Sequence, residues 1–94
     1  MSEKVFRMSV NFRGRVQGVG FRWNVRDEST RHQVAGYVKN LPDGSVEMVA
    51  ESAREEDAKE FLAAIEARMV DHISDRSVIE RTGSTDFAGF EITY

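Results

Sequence analysis

The segment GRVQGVGFRW, residues 14–23, combines three glycines with two arginines within ten residues. Because glycine adopts backbone conformations that other residues avoid, such a loop can turn several N–H groups toward one point. A helix that begins directly after the loop adds its own unpaired N–H groups and the positive end of its dipole. Arg22, in the first turn of that helix, would add a planar and permanently charged pair of donors. The segment therefore predicts an oxyanion or phosphate site, although a flexible connection with surface arginines also fits these residues.

The loop does not match the common nucleotide-binding motifs. A Walker A sequence needs a lysine followed by Ser or Thr after its second glycine, and no such lysine follows Gly18 or Gly20. The dinucleotide motif Gly-x-Gly-x-x-Gly also fails, because Trp23 stands where its third glycine would be. The position of Trp23 itself, at the edge of a site or over the core, is open at this point.

A second polar residue that could do chemistry is Asn40, which ends the segment GYVKN directly before the turn LPDG. An asparagine side chain can accept a hydrogen bond with its oxygen and donate one with its nitrogen. It could therefore act on a reactant, or it could only cap the turn. The residue types around Asn40, taken by themselves, favour the role of a turn cap.

Composition removes several other classes of site. The sequence has no cysteine, which excludes thiolate metal sites and a thiol nucleophile, and the two histidines, His32 and His72, lack the paired spacing of metal ligands. Residues 1–40 contain eight Lys or Arg against three Asp or Glu, whereas residues 41–94 contain five against thirteen. This asymmetry favours a local anion site, or simply two solvated surfaces that differ in charge. With no apolar span and no secretory leader, we expect a cytoplasmic protein. Because the sequence lacks a cluster of metal ligands, we expect no metal and no other cofactor.

Hydrophobic periodicity predicts the elements that must position these residues. Apolar and polar side chains alternate through residues 5–13, which predicts a half-buried strand. A first helix should begin near Phe21 and run to about His32. Two further strands, residues 34–40 and 45–51, flank the turn and form a hairpin.

The second half of the chain predicts one helix and two strands. Ser52 to Glu55 has the sequence of a capping box, which marks the start of the second helix. Apolar side chains then recur at helical spacing, namely Ala58, Phe61, Leu62, Ile65 and Met69. Residues 76–82 and 90–94 read as strands, and His72 falls in the loop before them.

The order of elements is βαββαβ with a short additional strand at the C-terminus. This order predicts a single α+β domain over residues 1–94, with two helices on one face of an antiparallel sheet. Such a ferredoxin-like sandwich hosts many activities, so it does not by itself indicate a function.

Two coupled motifs carry a resemblance that covers nearly the whole chain. GRVQGVGFR followed by GYVKNLPDGSVEMVAES resembles the two signatures of the acylphosphatase family, in the same order and at the same separation. The C-terminal FEITY is also similar to the usual ending of that family. The resemblance implies the ferredoxin-like fold and the hydrolysis of small acyl phosphates by water, with no metal and no covalent intermediate.

The resemblance also implies roles for individual residues. Arg22 would bind the phosphate and Asn40 would hold the attacking water. Backbone N–H groups that bind the phosphate would come from the matching loop, Val16, Gln17, Gly18, Val19, Gly20 and Phe21. We expect inorganic phosphate to inhibit competitively, and we expect a monomer that binds neither nucleic acid nor a membrane.

Three residues depart from the family pattern. Ser52 replaces a usual glycine, for which the capping box offers a local reason, and His32 and Gln33 stand where an aliphatic residue and a helix-ending glycine are common. A non-catalytic phosphate-binding or regulatory domain of the same fold is an alternative function. A nucleic-acid-binding module is another, but SVEMVAE lacks the aromatic residues that such modules carry on a central strand.

Overall fold

The structure of the protein, a computed structural model, describes residues 4–94. These residues form five strands and two helices in the predicted order, β1 (Lys4–Gly14), α1 (Phe21–Ser29), β2 (Ala35–Asn40), β3 (Val46–Ser52), α2 (Glu55–Arg68), β4 (Ile73–Ser84) and β5 (Phe90–Thr93). The ferredoxin-like βαββαβ arrangement with an additional terminal strand is confirmed. Neither helix is long and apolar enough to cross a membrane.

One sheet contains all five strands in the order β4-β1-β3-β2-β5. The first four strands pair antiparallel as expected, but β5 pairs parallel with β2, so the sheet is mixed. The reason is that β4 ends at the end of the sheet where β2 begins. A strand that starts from that end must run in the direction of β2, and Gly36 aligns with Phe90 in the resulting pair.

The core lies between the sheet and the two helices. Alternation along β1 buries Met8, Val10 and Phe12, as the pattern predicts for a strand with one face on a core. The predicted apolar positions of α2 are all buried against this layer, namely Ala58, Phe61, Leu62, Ile65 and, just past the end of the helix, Met69. Phe21 and Val25 of α1 are buried in the same cluster, which fixes the start of α1 and the loop that precedes it.

Helix α1 ends at Ser29, so the prediction that it continues to about His32 is wrong. The hydrogen bonds change from i to i−4 to i to i−3 at this end, because the amide and the hydroxyl of Thr30 both donate to the carbonyl oxygen of Asp27. Such i to i−3 bonds close the last turn and compete with continuation of the helix. His32 lies past the end, half-buried, with its Nε2 atom 2.8 Å from the Glu28 carboxylate and its ring 5.4 Å from that of Phe61.

The capping-box prediction at Ser52 is also wrong. Ser52 is the last residue of β3, where it aligns with Phe6, and the residue at the N-cap of α2 is Arg54. Ser52 is buried, and its hydroxyl donates a 2.6 Å hydrogen bond to the carbonyl oxygen of Arg54 instead of accepting from a helical amide. The strand ladder extends further than the local sequence suggests, so the serine lies too early to cap the helix.

Candidate active site

The glycine loop turns sharply between β1 and α1. Gly18 and Gly20 have φ angles of 76° and 74°, in the left-handed region that residues with a side chain avoid. Gly20 is the N-cap of α1, and its carbonyl oxygen accepts hydrogen bonds from the amide and from the side chain of Asn24. These contacts anchor the first turn of the helix at the end of the loop.

The loop and the first helical turn present a series of free backbone donors. None of the amide N–H groups of residues 16–23 donates to an acceptor within residues 4–94, whereas the amide of Arg15 is bonded to His72. Unpaired N–H groups at the start of a helix favour an anion, because the helix dipole places positive charge there. The loop thus has the donors that an oxyanion would need.

Arg22 is held at this end of α1 by the C-terminus of the chain. Its guanidinium lies 4.7 Å from the centre of the Tyr94 ring, and its NH1 group makes a long, 3.5 Å contact with the carbonyl oxygen of Thr93. A cation over an aromatic face is attracted by the negative charge of the ring. This support leaves most of the guanidinium donors free for a ligand.

Asn40 is the last residue of β2, where it aligns with Val46 of β3. Its Oδ1 atom is buried and has no hydrogen-bond partner within residues 4–94. Buried polar atoms of folded proteins almost always have a partner, so an orphaned acceptor indicates a missing donor such as a water molecule or a ligand. Among residues 4–94, the Nδ1 atom of His72 is the only other buried side-chain nitrogen or oxygen without a hydrogen-bond partner.

A single cleft of about 270 Å³ brings these groups together. Its lining residues come from the loop, the start of α1, the end of β2 and the C-terminus, namely Val16, Gly18, Gly20, Phe21, Arg22, Trp23, Asn40, Ile92 and Tyr94. Of these residues, Arg22 alone carries a charged side chain, so no carboxylate side chain opposes an anion in the cleft. Trp23, whose place the sequence left open, is 60% exposed and forms part of the edge.

Gln17 and Val19, two of the predicted loop residues, do not line the cleft. The side chain of Val19 packs against the core. The side-chain amide of Gln17 turns toward the β2–β3 hairpin, where it donates to the carbonyl oxygens of Leu41 and Ser45 at 2.8 and 2.9 Å. Sequence reasoning considered only the backbone of Gln17 and missed this brace.

Sequence reasoning also missed the part that the C-terminus plays in the site. Tyr94 and Ile92 line the cleft and Thr93 contacts Arg22, although Thr93 and Arg22 are 71 positions apart in the chain. The family-like ending FEITY was the only signal that could have pointed to them.

The two histidines lie elsewhere, and residues 4–94 contain no group of three or more His, Cys, Asp or Glu side chains that could hold a metal ion.

The fold and the cleft together define a ferredoxin-like protein with a cationic cleft between the start of α1 and the end of β2. Residues 8–92 match the sequence model of the acylphosphatase family. The chain belongs to the acylphosphatase family of hydrolases.

Individual relatives agree with this assignment. An acylphosphatase from Bacillus velezensis is 58% identical over 52 residues, which cover 55% of this chain and 57% of that relative. An acylphosphatase from Bacillus licheniformis is 43% identical over 82 residues, covering 86% of this chain and 90% of the relative. The crystal structure of an acylphosphatase from Bacillus subtilis matches the fold with a TM-score of 0.84 and 34% identity, over 95% of this chain and 99% of that one.

Proposed function

We propose that the protein hydrolyses acyl phosphates, mixed anhydrides of a carboxylic acid and phosphoric acid, to a carboxylate and inorganic phosphate. The observation that carries this proposal is the buried, unpartnered Oδ1 atom of Asn40, a residue that lines the same cleft as Arg22 and the glycines of the loop. A site that only binds phosphate needs hydrogen-bond donors, whereas an additional hydrogen-bond acceptor would not contribute to phosphate binding. An acceptor beside the donors supports a site that holds a phosphoryl group and a water molecule at once.

The loop and Arg22 bind the phosphoryl group in this proposal. The N–H groups of residues 16–21 contact its oxygens, and the guanidinium of Arg22 adds two parallel charge-assisted hydrogen bonds. Both act on the substrate and on the transition state, because the phosphoryl oxygens carry negative charge throughout. Their contribution is charge neutralisation and alignment of the phosphorus.

Asn40 positions the attacking water. The water donates a hydrogen bond to Oδ1, so that this oxygen gains a partner. The same hydrogen bond fixes the direction of the water lone pair that attacks phosphorus. Because Oδ1 is closed to solvent in the free protein, a small rotation of the amide must accompany binding of the water. Asn40 neither gains nor loses a proton overall.

The reaction is an in-line displacement at phosphorus. The water oxygen forms a bond to phosphorus, and the bond from phosphorus to the acyl oxygen breaks, with its electron pair leaving on the carboxylate. The water protons remain with the phosphate, which then equilibrates with the buffer. A carboxylate is a weak base, so the leaving group needs no general acid, and the proposal uses no metal and no covalent enzyme intermediate.

A hydrolysis assay tests this function. We expect turnover of benzoyl phosphate that persists in EDTA, competitive inhibition by inorganic phosphate, and negligible turnover of an alkyl phosphate ester, whose alkoxide leaving group is far more basic. Binding of phosphate without turnover of benzoyl phosphate would instead identify a non-catalytic phosphate-binding domain. Loss of activity in EDTA that Mg²⁺ or Zn²⁺ restores would contradict the metal-free reaction.

The proposal extends to the state in which the protein acts. One chain supplies every group that the reaction uses, and one hydrophobic cluster joins the sheet to both helices, which supports a single domain that works as a monomer. The absence of cysteine suits a reducing compartment such as the cytoplasm. Size-exclusion chromatography of the active protein tests the monomer, and activity in a cytoplasmic fraction tests the location.

A further inference from the structure

A groove of about 370 Å³ adjoins the proposed phosphate cleft. Trp23 lines both depressions, so it forms part of the boundary that they share. The other groove residues that matter here are Arg26, one turn further along α1, and two apolar side chains, Val34 and Phe90.

The groove continues the cleft along the seam between α1 and β5. Arg22 meets Thr93 near the end of β5, whereas Arg26 lines the groove together with Phe90 at the start of that strand. Four residues of helix advance by about 6 Å, so the two arginine positions follow each other along this seam. A ligand whose phosphoryl group lies beside Arg22 would extend past Trp23 toward Arg26.

The lining of the groove combines apolar and polar side chains, and Arg26 supplies a cation. Trp23 is 60% exposed, while Val34 and Phe90 are partly buried against the core and offer apolar surface. The side chain of Arg26 makes no hydrogen bond or ion pair within residues 4–94. The groove therefore offers an unengaged guanidinium next to an aromatic wall.

The acidic side chain beside Arg26 does not neutralise it. The carboxylate of Asp27, which also lines the groove, is bonded to Arg31 at 3.0 Å and to Arg68 at 2.8 Å. Because two other arginines already compensate the charge of Asp27, Arg26 retains its attraction for an anion. A free cation of this kind favours a ligand that carries a second negative group.

We propose that this groove binds the acyl group of the substrate, and that it favours flat or apolar acyl groups with a carboxylate at the end remote from the phosphate. Trp23 stacks on the acyl group and Arg26 pairs with the distal carboxylate. This inference rests on the proposed acyl phosphate hydrolysis and adds the substrate class to it.

The test compares two rigid substrates, 4-carboxybenzoyl phosphate and its neutral amide analogue, 4-carbamoylbenzoyl phosphate. We expect Arg26→Gln to lower kcat/KM for the carboxylate substrate about fivefold, the scale of a partly exposed ion pair, and to leave the amide substrate unchanged. The ratio of variant to wild type for each substrate cancels differences in intrinsic reactivity. Arg54→Gln removes the same charge at the start of α2 and should change neither substrate.

A second variant tests the aromatic wall. Trp23→Ala should lower kcat/KM for both benzoyl substrates by a similar factor, and by a larger factor than for acetyl phosphate, which is too small to reach the groove. Equal effects of Arg26→Gln on the carboxylate and the amide substrates, or no effect on either, would overturn the proposed recognition. If wild-type protein fails to hydrolyse benzoyl and acetyl phosphate, the proposed function itself fails, which is a different result.

Discussion

The side-chain amide of Gln17 donates a 2.9 Å hydrogen bond to the carbonyl oxygen of Ser45, the same oxygen that accepts from the amide of Leu41 to close the β2–β3 hairpin. Its second hydrogen bond, to the carbonyl oxygen of Leu41, falls directly after Asn40. Gln17 therefore joins the loop that would hold phosphate to the turn that follows the residue that would hold water. The distance between the two halves of the site depends on this brace.

Replacing Gln17 tests the coupling. Gln17→Leu keeps the approximate volume but removes both donors, so the loop and the hairpin lose their direct link. We expect kcat for benzoyl phosphate to fall about tenfold or more, because misplacement by about 1 Å can cost about a hundredfold in rate. The inhibition constant of phosphate should change by a much smaller factor, since the loop amides remain.

The control for this experiment is Gln33→Leu, which alters an exposed glutamine past the end of α1. Both variants are assayed at a temperature where circular dichroism shows them folded. A brace that only stabilises the fold would lower the free energy of unfolding without separating kcat from phosphate binding, and that outcome would contradict a positioning role for Gln17.

Arg22 should control phosphate affinity. We expect Arg22→Ala to raise the inhibition constant of inorganic phosphate about tenfold to a hundredfold, the scale of a charge-assisted hydrogen bond. Arg22→Lys should not restore binding, because an ammonium group cannot reproduce the planar pair of donors and loses the stacking on Tyr94. Arg15→Ala, a change at an exposed arginine of the same loop, serves as the matched control, and phosphate inhibition kinetics provide the measurement. Full activity of the lysine variant would refute the bidentate contact.

Asn40 should control turnover more than binding. Asn40→Ala removes the acceptor for the water, and we expect kcat to fall by about a hundredfold or more, the scale of general positioning effects. The amide carries no net charge, so the inhibition constant of phosphate should remain near the wild-type value. Asn40→Asp retains an acceptor oxygen but adds negative charge, and it should weaken phosphate binding as well. If Asn40→Ala weakened phosphate binding as much as Arg22→Ala, a role in holding water would be untenable.

Glu51 should make the stability of the fold depend on pH. Its buried carboxylate accepts hydrogen bonds from Arg7, from the Thr85 hydroxyl, and from the amides of Asp86 and Phe87. Burial by itself raises the pKa of this carboxyl, but the hydrogen bonds from these donors outweigh it and lower the pKa below the usual value. A lowered pKa in the folded state stabilises the protein above the unfolded pKa of about 4.3, and this contribution is lost as the pH falls through the folded value.

The measurement is the free energy of unfolding in urea at pH 7 and at pH 3 for wild type and Glu51→Gln. The substitution should cost about 1–3 kcal/mol at pH 7, because donors that faced a carboxylate oxygen lose their charged partner. The cost should shrink at pH 3, because Glu51 is protonated in the unfolded wild-type chain there and part of the stabilisation from the lowered folded pKa is lost. Glu60→Gln, at an exposed position of α2, is the control, and a cost of Glu51→Gln that is equal at both pH values would contradict the argument.

Local sequence determined much of this protein. Alternation along β1 and helical spacing along α2 were sufficient for those elements, because each pattern states directly which face meets the core. The glycine loop, with Arg22 behind it, predicted an anion site because loop and helix start are adjacent in the chain. For Asn40, the residues by themselves favoured a turn cap, and only the family-like motif around it pointed to catalysis.

Tertiary structure decided what depends on distant partners. The parallel pairing of β5, the stacking of Arg22 on Tyr94 and the turn of Gln17 toward Ser45 all join segments that lie far apart in the chain. Ser52 gives the clearest contrast, since its capping-box sequence is a local preference worth about 1 kcal/mol. Pairing with β1 in a buried ladder outweighs a preference of that size, and no inspection of residues 52–55 alone could have shown which of the two would prevail.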